Sequence, residues 1–228
     1  MSIENSLKTV RVWDLPTRIF HWTLVLGVVG LAVSGLIGGS ALAWHFRFGY
    51  AVMTLLVFRI IWGLVGGHWS RFHVFTFAPR SVLNYLKGSG RPKHSVGHTP
   101  LGATSVFTLL VVLLAQVSTG LVSDDEIAFS GPLAHLVSNA SVKLATFYHA
   151  AVGKWVILGL VLLHVSAVTV YQRRQHKLVD AMFHGNKELA LDVPSSRDDV
   201  WSRTAAALLL TLCGAGAYWV STLGAPAF

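Results

Sequence analysis

Five apolar runs, at about 17 to 38, 46 to 66, 101 to 122, 147 to 171 and 203 to 222, constrain this chain more than any other feature. Each has roughly the 20 residues that a helix needs to cross a hydrocarbon core of about 30 Å. Backbone groups in lipid have no water to bond, and the runs carry few strand or turn signals, so each is expected to be a helix. The expected fold class is all-α, an integral membrane helical bundle. Composition agrees, with 53% hydrophobic and 12% charged residues and a mean hydropathy of +0.58. A cleaved signal peptide competes for the first run, because Lys8, Arg11 and Arg18 precede it and Ala41, Leu42 and Ala43 imitate a cleavage site. A secretory segment is typically about 7 to 15 apolar residues, so the longer run is read as a retained first helix.

The net charge is +8, and its placement argues for topology and against a nucleic-acid partner. The 67 to 99 loop holds Arg71, Arg80, Lys87, Arg91 and Lys93 with no acid, and the stretch after the fourth run begins with Arg173, Arg174 and Lys177. The 123 to 146 loop has Asp124, Asp125 and Glu126 against Lys143. The positive-inside rule then puts both basic regions and the N-terminus in the cytoplasm, with the acidic loop and the C-terminus periplasmic. Trp13, Trp22, Trp44, Trp62, Trp69, Trp201 and Trp219 are expected at the interfaces as anchors. The 172 to 202 stretch reads as a solvated connection, with a short amphipathic piece over Leu178 to Phe183.

Ionisable or ligand-capable side chains are costly in hydrocarbon, which makes function the default reading for His21, His45, His149 and His164. A neutral imidazole is the usual axial ligand of haem iron. His21 enters a helix rising from the cytoplasm and His164 lies near the end of a helix returning there, so this pair shares the cytoplasmic half. His45 and His149 share the outer half. The separation 164 − 149 = 15 residues is about 22 Å along a helix, with a rotation of about 60°, so one helix can offer a ligand to each of two stacked haems. Cys213 is the only cysteine, which excludes an iron–sulfur cluster and a covalent C-x-x-C-H haem site held by this chain. Any haem is therefore b-type. Arg59 lies about four helical turns below His45, at the depth of the inner pair. It is read as a propionate partner in preference to a snorkelling arginine. His68, His73, His94, His135, His176 and His184 fall in loops or near headgroups. No Gly-rich phosphate loop and no H-E-x-x-H is present, so neither a nucleotide site nor a hydrolytic metal site is expected.

The stretches RVWDLPTRIFHW at 11 to 22, RIIWGLVGGHWSRF at 59 to 72 and GHTPLGA at 97 to 103 resemble the bacterial cytochrome b561 family, which includes the cytochrome b subunits of nickel-iron hydrogenases. The resemblance runs from about residue 8 to 190. It implies a four-helix core with two b haems, ligated by His21 with His164 and by His45 with His149; the apolar run at 203 to 222 adds a fifth C-terminal transmembrane helix, which with its connector occupies 191–228. It also implies a bacterial inner membrane. Relatives commonly set the two fourth-helix ligands one residue closer together, so the wider spacing here implies either a turn irregularity beside His149 or another ligand. The GHTPLG segment lies, in relatives, near a quinone pocket beside the inner haem, often with Asn at the position of Thr99. His98 and Thr99 can each donate a hydrogen bond to a quinone, while Thr99 followed by Pro100 also reads as a helix cap.

The function these readings imply is electron transfer across the bilayer between a periplasmic redox partner, a hydrogenase-like protein or a c-type cytochrome, and the quinone pool. A membrane anchor for a redox protein and a haem-free helical transporter are the alternatives; against the transporter, no acid lies within any run.

Overall fold

The computed structural model describes residues 7–89, 96–174 and 177–224. Arg91, Lys93, His94 and His176 lie outside the described residues. Among the described residues, five helices are long and apolar enough to cross a membrane. They are α1 (Leu15–Ile37), α2 (Leu42–Val65), α5 (Pro100–Leu121), an interrupted helix made of α6 (Asn139–Phe147) and α7 (Lys154–Arg173), and α9 (Val200–Ser221). Short helices α3 (Phe72–Phe75), α4 (Pro79–Leu86) and α8 (Leu178–His184) stand between them, α8 covering the stretch where a short amphipathic piece was expected. The chain is a multi-pass helical membrane protein.

The fourth span begins eight residues before its apolar run, because Ser138 caps α6 by accepting from Ser141 N at 3.3 Å. Asn139, Ser141 and Lys143 make that first turn polar, and hydropathy alone passes over it.

Two compact units divide the chain. One comprises Met1–Ile19, Arg59–Phe107 and His164–Ala207. Its strands β1 (Lys8–Arg11) and β2 (Asn186–Leu189) pair antiparallel, Lys8 opposite Leu189 and Arg11 opposite Asn186. The pairing covers a small core of Val10, Val12, Trp13, Val96 and Ala181. Residues 172–202 are therefore more than a solvated connection. Trp13, at 5% exposure, and Trp62, at 3%, are buried and not interface anchors. Trp62 serves a polar centre built on Asp14, which is fully buried where α1 begins. Its carboxylate accepts from Thr17 N (2.8 Å), Trp62 Nε1 (3.2 Å), Gly67 N (3.2 Å) and Ser70 Oγ (2.7 Å). A buried carboxylate needs such saturation, since each lost donor leaves charge uncompensated. Asp198 performs a similar task nearby, accepting from Leu15 N at 3.1 Å and pairing with Arg203 at 3.0 Å and Arg11 at 3.5 Å.

The other unit comprises Phe20–Phe58, Thr108–Leu163 and Leu208–Phe228. Here α1 meets α2 along glycines: a Cβ on Gly27 would come within 2.8 Å of Val52, and one on Gly30 within 2.8 Å of the Phe48 ring. Lipid gives no hydrophobic drive between helices, so small residues that allow close backbone approach do this packing. In the loop after α5, Asp125 accepts from the backbone N–H groups of Ile127, Ala128 and Phe129 at 2.8 to 2.9 Å. Burial would raise that carboxyl, but these donors hold it below the usual carboxylate range.

Candidate functional site

The structure brings His45 and His149 together, with ring centroids 6.0 Å apart and planes at 87°. His45 lies in the first turn of α2 and is directed by α1. Its Nδ1 is 3.0 Å from Leu31 O, and one helical turn on, a Cβ at Gly35 would come within 3.2 Å of the ring. His149 is directed by α5 in the same manner. Its Nδ1 is 2.9 Å from Gln116 O, and a Cβ at Gly120 would come within 2.7 Å of Cε1. Each imidazole thus reaches a carbonyl at position i across a glycine at i+4, neighbours on one helix face. The residue before each glycine carries a hydroxyl that bonds back within its own helix, Ser34 to Gly30 O (2.6 Å) and Thr119 to Ala115 O (2.8 Å).

A carbonyl oxygen only accepts, so Nδ1 carries the proton in both rings and Nε2 keeps the lone pair that binds metal. This is the orientation that outer hydrogen bonds commonly impose on a ligating histidine. Two metal–nitrogen bonds of about 2 Å, plus about 1.1 Å from each Nε2 to its ring centre, set the centroids of an axial pair about 6 Å apart. The donor set and its spacing therefore fit a bis-histidine haem. Among the described residues no cluster of three or more metal-ligating side chains occurs, so the pair has no third partner of the kind a bare ion requires.

The other candidates fall in separate places. His21 is half-buried in α1, edge-on to Trp22 at 5.0 Å. His164 is half-buried on α7 and belongs to the other unit. Arg59 is 3% exposed and so buried within the protein. Its Nη1 donates to Ser70 O at 3.1 Å and its guanidinium lies over the Phe72 ring at 4.7 Å. Thr99 caps α5, its Oγ1 accepting from Gly102 N at 3.1 Å, and it also bonds the Tyr85 hydroxyl, itself 3.0 Å from that of Tyr171. His98 is held between Phe75, at 4.2 Å, and the edge of Trp13, at 4.7 Å. Its Nδ1 is buried with no hydrogen-bond partner among the described residues. Burial, reinforced by the nearby charges of Arg59 and Lys187, pushes the His98 imidazole down to about 3, so it is neutral at physiological pH.

Sequence reasoning passed over Asp14, Gly35, Gln116 and Gly120. Asp14 had a signal, since an acid directly before Leu15 and Pro16 marks a helix start. The acceptors in the histidine cradles are backbone carbonyls and carry none.

A family model for prokaryotic cytochrome b561 matches residues 12–185. The chain belongs to that family. It is a b-type cytochrome, and so a haem b protein of membrane electron transfer. It is similar to the probable Ni/Fe-hydrogenase B-type cytochrome subunit of Rhizobium leguminosarum bv. viciae, at 26% identity over 79% of this chain and 89% of the relative. The corresponding protein of Cupriavidus necator is 29% identical over 72% of this chain and 80% of its own. The probable Ni/Fe-hydrogenase 1 B-type cytochrome subunit of Escherichia coli K12 is 24% identical over 68% and 80%.

Proposed function

We propose that this cytochrome carries two b haems and passes electrons across a bacterial inner membrane between a hydrogenase-like or c-type redox protein on the periplasmic side and the quinone pool. The observation that carries this reading is the pinned pair His45 and His149, 6.0 Å apart with both Nδ1 protons held by carbonyls. These two would hold the outer haem. His21 and His164 would hold the inner one, a pairing that rests on their depth along the chain and on the family resemblance. Arg59, at the same depth, would offer its buried charge to a propionate. Haem iron, when bound, supplies the one-electron step. The protein supplies ligands of fixed tautomer, exclusion of water and local charge.

The basic loops favour a cytoplasmic N-terminus and a periplasmic C-terminus. The hydrogenase partner comes from the relatives' names and from the acidic outer loop being the surface such a protein would meet. Quinone would be met near His98 and Thr99, where a neutral buried imidazole has a nitrogen without a partner among the described residues and an unpaired group of that kind costs about 1 to 3 kcal/mol.

Purified protein assayed by pyridine haemochrome should give two haems per chain, and His45→Ala or His149→Ala should remove one. One haem or none in the unaltered chain would refute the count. Thr99→Val combined with His98→Ala should leave both haem spectra intact while slowing reduction by a soluble quinol at least tenfold. An unchanged rate would move the quinone site away from these residues.

A further inference from the structure

The fourth span is not one regular helix. Between α6 and α7, residues Tyr148–Gly153 form a π-helical turn, and His149 is its second residue. A π turn closes i→i+5 bonds and so holds one residue more than an α turn. Most of the widened turn lies after His149, on the way to His164. In an unbroken α-helix, 15 residues rotate the chain by about 60°, whereas 14 rotate it by about −40°. With one residue absorbed in the π turn, His149 keeps the phase it would have at a spacing of 14.

A widened turn displaces carbonyls from their α-helical donors and needs support from outside. Gln116 on α5 provides it twice. Its side-chain Nε2 donates to His149 O at 2.9 Å, while its own carbonyl accepts from His149 Nδ1 at 2.9 Å. The amide lies so close over Gly153 that a Cβ there would be 1.9 Å from Gln116 Oε1. A side chain at position 153 would displace the amide from this place. One residue of α5 thus grips both the ring and the backbone of His149.

We infer that Tyr148–Gly153 is a one-residue insertion, held open by Gln116 and Gly153, that keeps His149 in register as an axial ligand, with Gln116 as its positioning residue. The inference rests on the reading of His149 as a haem ligand.

The test removes the inserted residue and asks whether the haem stays. Deleting Ala151 in the full-length chain should convert the π turn to an α turn and leave two haems per chain, both low-spin and unreactive to carbon monoxide when reduced. Deleting Gly159, which lies between the two histidines but outside the turn, should lose one haem. Gln116→Leu in the otherwise unaltered chain should keep the second haem, as the mark of a folded protein, while making the His149-side haem reactive to carbon monoxide and shifting its midpoint potential. The same substitution in the Ala151-deleted chain should shift that potential less, because the turn it supports is gone. Loss of the His149-side haem on deleting Ala151, whether alone or with the whole fold, overturns the insertion. An unshifted potential and no carbon monoxide binding in Gln116→Leu overturns the role of Gln116. Failure of the underlying reading looks different: His149→Ala would then retain both haems.

Discussion

The two histidine cradles of α1 and α5 are alike in chemistry and unlike in mechanical form. Both present a carbonyl, a hydroxyl residue and a glycine, as Leu31, Ser34 and Gly35 in one and Gln116, Thr119 and Gly120 in the other. Yet His45 projects from a regular α-helix, while His149 projects from a π turn braced by a side chain. Clearance differs too, 3.2 Å at Gly35 against 2.7 Å at Gly120. What a ligand needs from its surroundings is a fixed proton and a free Nε2, and the backbone around it can vary as long as those are kept.

The clearances give the largest expected difference. Alanine is about 1 kcal/mol better than glycine inside a helix, so substitution at either glycine is a contest between propensity and clash. Gly120→Ala puts a methyl group into the His149 ring, and an overpacking cost of about 1 to 3 kcal/mol outweighs the gain. Haem content should fall toward one per chain, read by pyridine haemochrome. Next comes His98, a buried histidine whose Nδ1 has no partner among the described residues, in contrast to the two pinned rings. Its value is depressed, so the stability it contributes is full above the unfolded value of about 6.5 and declines as pH falls toward about 3. The unaltered protein should lose up to about 1.4 kcal/mol per pH unit over that window, and His98→Phe should flatten the dependence of Tm on pH between 7 and 5. An unchanged slope would mean that His98 is not buried as a neutral base.

Smaller effects sharpen the comparison. At Gly35 the clash is mild enough for propensity to offset it, so Gly35→Ala should keep two haems and move Tm by only a few degrees. Haem loss equal to that of Gly120→Ala would erase the difference in clearance. Ser34 Oγ is 3.4 Å from His45 Nδ1, longer than the 3.0 Å to Leu31 O, and donates instead to Gly30 O. Ser34→Ala should therefore leave the spectrum of the His45-side haem unchanged and cost about 0.5 to 1 kcal/mol. A shifted spectrum would make the hydroxyl, and not the carbonyl, the group that pins His45.

Long apolar runs broken by few polar residues made the five spans legible, and the cost of imidazole in hydrocarbon singled out His45 and His149. Set against the family's spacing, the separation of His149 from His164 left either an irregular turn at His149 or another ligand, and the turn there is π-helical. What the turn is made of was not legible, because its support is a glutamine from a distant helix meeting a glycine. Trp13 and Trp62 were read as anchors, since tryptophan beside a span usually is one, whereas Trp62 turns inward to donate to the buried Asp14 and Trp13 joins the small core of Val10, Val12 and Val96. Two short strands separated by most of the chain carry no periodicity that could have paired them.

That pairing bears on how the protein is made. Residues 8–11 must wait for residues 186–189, which at about 5 to 20 residues per second is a delay of about 9 to 35 s of translation. Four spans are threaded in the interval. An even number of crossings returns the chain to the compartment it left, whereas a skipped or reversed span would strand Asn186–Leu189 on the far side of the bilayer. Val10 and Val12 would then stay uncovered, so the closed two-stranded clasp requires an even number of crossings between its strands.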